Sequence, residues 1–148
     1  MENKEFEVCV RIVIQHQGKI LVCKNKEKNY YFFPGGHIKF GESVKETLLR
    51  EMKEELDLSV DKWIFIGTVE NIFIEDNEKH HEINLVFNID TDKIVTKSQE
   101  DHIDFVFMDK NQFIRETVLP VALKKAILRW LDDKKIFWAS QIYDKSIL

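Results

Sequence analysis

The chain has 148 residues, a formal net charge of −4 and 44% hydrophobic residues, the balance of an ordinary folded globule long enough to bury a core as one domain over 1–148. It has no basic tract, which argues against stable nucleic-acid binding through phosphates. The charged start, Met1-Glu2-Asn3-Lys4-Glu5, lacks the apolar stretch of a secretory signal, and no apolar run approaches the roughly 18 residues of a membrane span, so no membrane association is expected.

Residues 6–15 alternate and are rich in Val and Ile, with Val8, Val10, Ile12 and Ile14 on one side and Cys9, Arg11 and Val13 on the other, which predicts a strand. His16-Gln17-Gly18-Lys19 reads as a hairpin-type turn, 19–24 as a second strand, and 24–29 as a polar loop. Cys9 and Cys23 fall in the two strands without metal-type spacing; they read as small strand residues in a reducing cytosol, so a cytoplasmic protein is expected. Residues 30–33 form a short aromatic strand leading into a turn at Pro34-Gly35-Gly36. A helix follows over 43–56, with Ser43 as N-cap and Glu46 completing a capping box. Residues 62–75 and 82–90 read as strands joined by a polar hairpin loop at 76–81, 90–101 as an exposed loop, and 102–108 as a further strand. An amphipathic helix is expected over 119–132, with Pro120 in its first turn and Leu119, Leu123, Ile127 and Trp130 on its buried stripe. The last stretch, 136–148, is apolar and aromatic; it either packs back onto its own domain or forms a homodimer contact.

The helix at 43–56 carries the chemistry. Projected at ~100° per residue, Leu48, Leu49, Met52 and Leu56 share one side, and Glu51, Glu54 and Glu55 share the neighbouring one. Like charges at these spacings cost about 0.2–0.5 kcal/mol per pair, and a partly buried edge raises the penalty unless a cation sits among them. Lys45 and Lys53 project elsewhere, and Arg50 projects away from the three carboxylates. A hard divalent cation is therefore the expected partner, and an oxygen-only ligand set favours Mg²⁺, with Mn²⁺ as its substitute, over zinc. Taken alone, the acidic triplet has a second reading as a solvated face.

The triplet belongs to a longer pattern. Gly36, Glu42, Arg50, Glu51, Met52, Glu54, Glu55 and Leu58 occupy the positions of G-x5-E-x7-R-E-U-x-E-E-x-G-U, where U is bulky and aliphatic, and Phe33-Pro34-Gly35 precede it. This stretch resembles the box of the Nudix (MutT-like) hydrolase family, sharply over 32–58. Asp57 stands where the family carries glycine. That glycine ends the helix in a left-handed conformation, which Asp tolerates at a cost of about 1 kcal/mol.

The resemblance implies an α+β protein, an α/β/α sandwich around a mixed sheet with the box as loop–helix–loop. It implies metal-dependent hydrolysis of a nucleoside diphosphate linked to a moiety X, by attack of water on phosphorus. The small-molecule substrate is either a nucleoside triphosphate or a sugar- or dinucleotide-type diphosphate. On the same footing Glu51, Glu54 and Glu55 are metal ligands, the carbonyl of Gly35 is a further ligand, and Glu51 or Glu54 serves as the base. Arg50 and Glu42 hold those groups in place. Glu100, just before the strand at 102–108, is the candidate for the extra glutamate that some members recruit from a loop. The alternative is a non-catalytic Nudix-fold sensor that binds a nucleotide; such domains commonly lose box carboxylates, and this chain keeps all of them.

His37, His80, His81 and His102 read as surface or hydrogen-bonded side chains, since no paired His or Cys ligand spacing accompanies them. A stacking platform for a base would come from Tyr30, Tyr31, Phe32 or Phe73, with Phe32 read as core.

Overall fold

The computed structural model describes residues 4–60, 62–93, 98 and 101–143. In chain order the elements are β1 (Glu7–His16), β2 (Lys19–Asn25), β3 (Tyr31–Phe32), β4 (Gly35–His37), α1 (Val44–Leu56), β5 (Ile64–Glu75), β6 (Glu78–Asp90), β7 (Ile103–Met108), α2 (Lys110–Arg115), β8 (Val118–Leu119), α3 (Val121–Asp133) and β9 (Phe137–Ile142). Among the described residues the strands form one mixed sheet with the order β8-β3-β2-β1-β6-β5-β9; β4 pairs with β1, and β7 with β2. β1 runs parallel to β6 and antiparallel to β2 and β4.

The alternation read in β1 separates two cores. Val10, Ile12 and Ile14 join Leu21, Phe87 and Ile89 beneath Leu48, Met52 and Leu56 of α1. Val13 joins Val22, Phe33 and Val86 on the opposite face, against Phe113 of α2 and Leu123, Ile127 and Trp130 of α3. Both faces of the central strands are therefore covered, and the arrangement is the expected α/β/α sandwich. Cys9 and Cys23 are both buried. No helix among the described residues is long and apolar enough to cross a membrane.

Several boundaries differ from expectation, each for a tertiary reason. The expected loop at 76–81 is a two-residue turn: Asp76 and Asn77 adopt φ of 51° and 66°, and β6 already starts at Glu78. Asn and Asp accept the positive φ that a tight hairpin demands. β5 starts at Ile64 rather than 62. Leu119 leaves the expected helix because it is paired with Phe32 in the β8–β3 ladder. Pro120 is then the N-cap of α3 rather than a first-turn residue, and Ala126 takes a place on the buried stripe. The turn read at 34–36 runs into a short strand, Gly35–His37, with Gly35 opposite Arg11 and His37 opposite Cys9. α2 was absent from the sequence reading; Asp109 caps it by accepting from the Gln112 N–H, and Phe113 is fully buried beneath it. Leu49 is 38% exposed and belongs to the rim of the α1 stripe rather than to its buried centre. From the apolar terminus, 137–142 packs back onto the chain's own sheet as β9, parallel to β5. Its outer side chains Trp138 and Ile142 stay exposed, while Ile147 and Leu148 lie outside the described residues.

Candidate functional site

Local chemistry sets the frame of α1. Ser43 accepts a hydrogen bond from the Glu46 N–H, and the Glu46 carboxylate accepts from the Ser43 N–H, which completes the capping box. At the other end Asp57 takes the left-handed conformation, φ 51° and ψ 36°, in the family's glycine position. Lys53 pairs with Asp57 and Lys45 lies over the Trp63 ring, so neither lysine joins the acidic flank.

Arg50 departs from its projection: it does not point away from the carboxylates. Its Nε and Nη2 donate to the two oxygens of Glu42 at 2.8 and 2.9 Å. Nη1 donates to Glu51 at 2.7 Å and to Glu54 at 3.3 Å, and Nη2 also reaches the His37 carbonyl at 3.1 Å. A helical projection treats each side chain as a radial spoke, whereas the long arginine stem bends along the helix and its fork spans several acceptors. The bonds from Arg50, together with one from the Thr47 hydroxyl, hold the Glu42 carboxyl down at about 2. The same bonds push the Arg50 guanidinium further up from an already high value.

Two glycines face this flank. Gly36 packs on Glu51: a Cβ built there would lie 2.2 Å from Glu51 Oε1. Gly35 has φ of 150°, its own Cβ would meet the Val10 carbonyl at 2.0 Å, and its N–H donates to Glu55 Oε2 at 3.3 Å. The glycine-to-glutamate spacing is thus a packing requirement, because only residues without side chains let β4 lie against the acidic edge of α1.

Glu51 is 8% exposed, whereas the Glu54 side chain is 58% exposed. Glu51, Glu54 and Glu55 lie along one flank, but among the described residues no three His, Cys, Asp or Glu side chains close into a ligand cluster. Arg50 contacts one oxygen of Glu51 and one of Glu54, leaving the second oxygen of each outside its clamp. The donor set, all oxygen with glycine backbone beside it, fits a hard divalent cation. Glu100 lies outside the described residues.

One strand away from Gly35, a cavity of about 510 Å³ opens across β1, β5 and β6 beside the start of α3. Tyr30, Phe32 and Phe73 line it, and the half-buried Arg11 with the buried Asn71 and Glu82 forms its polar wall. Phe32 therefore faces the cavity rather than the core, a role that Phe33 takes at 1% exposure, and Tyr31 packs against the same core. The polar wall was missed in the sequence, although Arg11 signals it by interrupting an otherwise apolar strand. The histidines have polar partners: Glu7 bridges His37 and His80 at 3.0 and 2.9 Å, and His81 meets Glu70 at 2.9 Å.

Known proteins carry the same architecture. The family model described as the NUDIX domain matches residues 5–131. An ADP-ribose pyrophosphatase of Methanocaldococcus jannaschii is 29% identical over 126 residues, which are 83% of this chain and 73% of that one. An 8-oxo-dGTP diphosphatase of Proteus vulgaris is 23% identical over 77 residues, covering 49% of this chain and 69% of that one. The crystal structure of a MutT protein from Bacillus halodurans superimposes with a TM-score of 0.79 at 15% identity, covering 96% of this chain and 93% of that one, a likeness that bears on the fold. The glycine-backed acidic flank clamped by Arg50 lies within a match that spans most of the chain, and the chain belongs to the Nudix family.

Proposed function

We propose that this Nudix diphosphohydrolase, loaded with Mg²⁺ or its substitute Mn²⁺, hydrolyses the pyrophosphate link of a nucleoside diphosphate joined to a second moiety, which is a further phosphate, a sugar or a second nucleotide. The observation that supports it most is the Arg50 clamp, which aligns Glu51 and Glu54 along the edge of α1 next to β4. Glu51, Glu54, Glu55 and the Gly35 carbonyl would hold the cation. Such an ion neutralises phosphate oxygens and lowers the pKa of bound water.

The chain's own groups do the rest. Arg50 fixes the Glu51 carboxylate and is itself anchored on Glu42. Glu51 or Glu54 accepts the proton from the attacking water, and Glu100 is a further candidate for that flank. The cavity takes the nucleoside, with Tyr30, Phe32 and Phe73 as apolar and stacking surface. The two relatives named above act, by their names, on a sugar-linked diphosphate and on a triphosphate, so both classes belong in the assay. The buried thiols Cys9 and Cys23 suit a reducing cytoplasm. A homodimer through the exposed outer side of β9 is part of the same reading, and sedimentation velocity at two concentrations tests it.

Incubation with Mg²⁺ and a panel of nucleoside triphosphates, ADP-ribose, nucleotide sugars and dinucleoside polyphosphates tests the activity. Release of phosphate-bearing products from one of these classes is expected. Turnover of none would overturn the hydrolase reading in favour of a nucleotide sensor.

A further inference from the structure

Two buried acceptors in the polar wall of the cavity are incompletely paired, although the Arg11 guanidinium lies beside one of them. Arg11 Nε donates to Asn84 Oδ1 at 3.0 Å, and Asn84 Nδ2 donates to Glu82 Oε2 at 3.3 Å and to the Val69 carbonyl at 3.4 Å. Arg11 Nη2 lies 3.6 Å from Glu82 Oε1, an ion-pair contact beyond hydrogen-bond length. Glu82 is only 9% exposed, yet among the described residues its carboxylate, with about four acceptor sites, receives one long hydrogen bond. Asn71 is 6% exposed, and its Oδ1 has no hydrogen-bond partner among the described residues. These residues stand opposite each other in the β5–β6 ladder, Asn71 across from Glu82, and both line the cavity.

Two buried acceptors side by side in an aromatic-lined cavity call for a flat ligand edge that carries adjacent donors. We infer that the cavity selects guanine over adenine, with Glu82 and Asn71 reading the base; the inference rests on the nucleotide-hydrolase reading above. The Watson–Crick edge of guanine presents N1–H and the N2 amine as neighbouring donors. Adenine presents a lone pair at N1 beside its N6 amine, and that lone pair would face a buried carboxylate. Hypoxanthine keeps N1–H and lacks the N2 amine, so it falls between the two. Discrimination of this type arises because the rejected base leaves buried polar groups unpaired.

Calorimetric titration of the wild-type protein with GMP, IMP and AMP in Mg²⁺ buffer tests the inference without requiring turnover. GMP is expected to bind roughly 10- to 100-fold more tightly than AMP, with IMP between them. The isosteric Glu82→Gln change replaces one acceptor by a donor and should bring the GMP affinity down to that of AMP. Equal affinity of the wild type for GMP and AMP, or binding of none of the three, would overturn the guanine assignment. Turnover of the substrate panel is read separately. Strong GMP selectivity without turnover would sink the hydrolase reading and leave the base assignment standing, while turnover with equal GMP and AMP affinity would do the reverse.

Discussion

Gly36 and Glu51 meet so closely that a Cβ on the glycine would lie 2.2 Å from the Glu51 carboxylate oxygen. Glu51 cannot simply swing aside, because Arg50 holds that same oxygen at 2.7 Å. Gly36→Ala should therefore displace Glu51 and lower kcat by about 100-fold, the scale on which misplaced catalytic groups fail. Steady-state kinetics on the best substrate of the panel checks it. A near-normal kcat would show that the placement of Glu51 is not needed.

Glu54 is the exposed member of the flank, its side chain at 58%, so it carries little packing. Glu54→Gln should reduce kcat by roughly 10²- to 10⁴-fold. The urea midpoint should move by no more than the equivalent of about 0.5 kcal/mol, as for an exposed position. Activity close to wild type would remove Glu54 from the ligand and base assignments.

Glu42 makes folding sensitive to acid. Hydrogen bonds from Arg50 first, and from Thr47 second, lower its carboxyl from 4.5 to about 2 in the folded chain. A folded-state value below the unfolded one means that the stabilisation is complete above about pH 4.5 and is lost as pH falls through about 2. Glu42→Gln should flatten the decline in stability across that window. Urea midpoints of both proteins at half-unit steps of pH measure it, and superimposable acid limbs would refute it.

Asp57 ends α1 at φ 51°, where glycine carries no penalty. Asp57→Gly should stabilise the chain by about 0.5–1 kcal/mol, because the lost Lys53–Asp57 pair is exposed and worth little. Thermal and urea unfolding give the sign. A clear loss of stability would mean that the surface pair outweighs the backbone strain.

Met52 anchors α1 from beneath, at 1% exposure among Ile12, Leu21 and Phe87. Met52→Ala should cost about 2–5 kcal/mol. Because α1 also carries the glutamates, part of the activity should fall with it at temperatures where the fold survives. Calorimetry and a temperature series of rates separate the two effects.

The box was legible because its information is local. The Ser43–Glu46 capping box, the left-handed Asp57 and the shared flank of Glu51, Glu54 and Glu55 all follow from spacings of three and four residues on one helix. The two-sided burial of β1 was legible for the same reason, since alternation is a property of neighbours. α2 escaped because six residues are too few to show a period, and β4 and β8 because strands of two or three residues are defined by their partners, whereas β3 was legible from its run of aromatics.

The sequence by itself determined the acidic helix and its caps, since these depend on bonds and contacts within a few turns of chain. Tertiary structure alone decided the rest. Arg50 found Glu42 and the His37 carbonyl only because β4 and the loop after it fold back over α1. Arg11, Asn71 and Glu82 share a cavity only because the sheet order sets β1, β6 and β5 side by side. Such neighbours are far apart along the chain, and no local spacing encodes them.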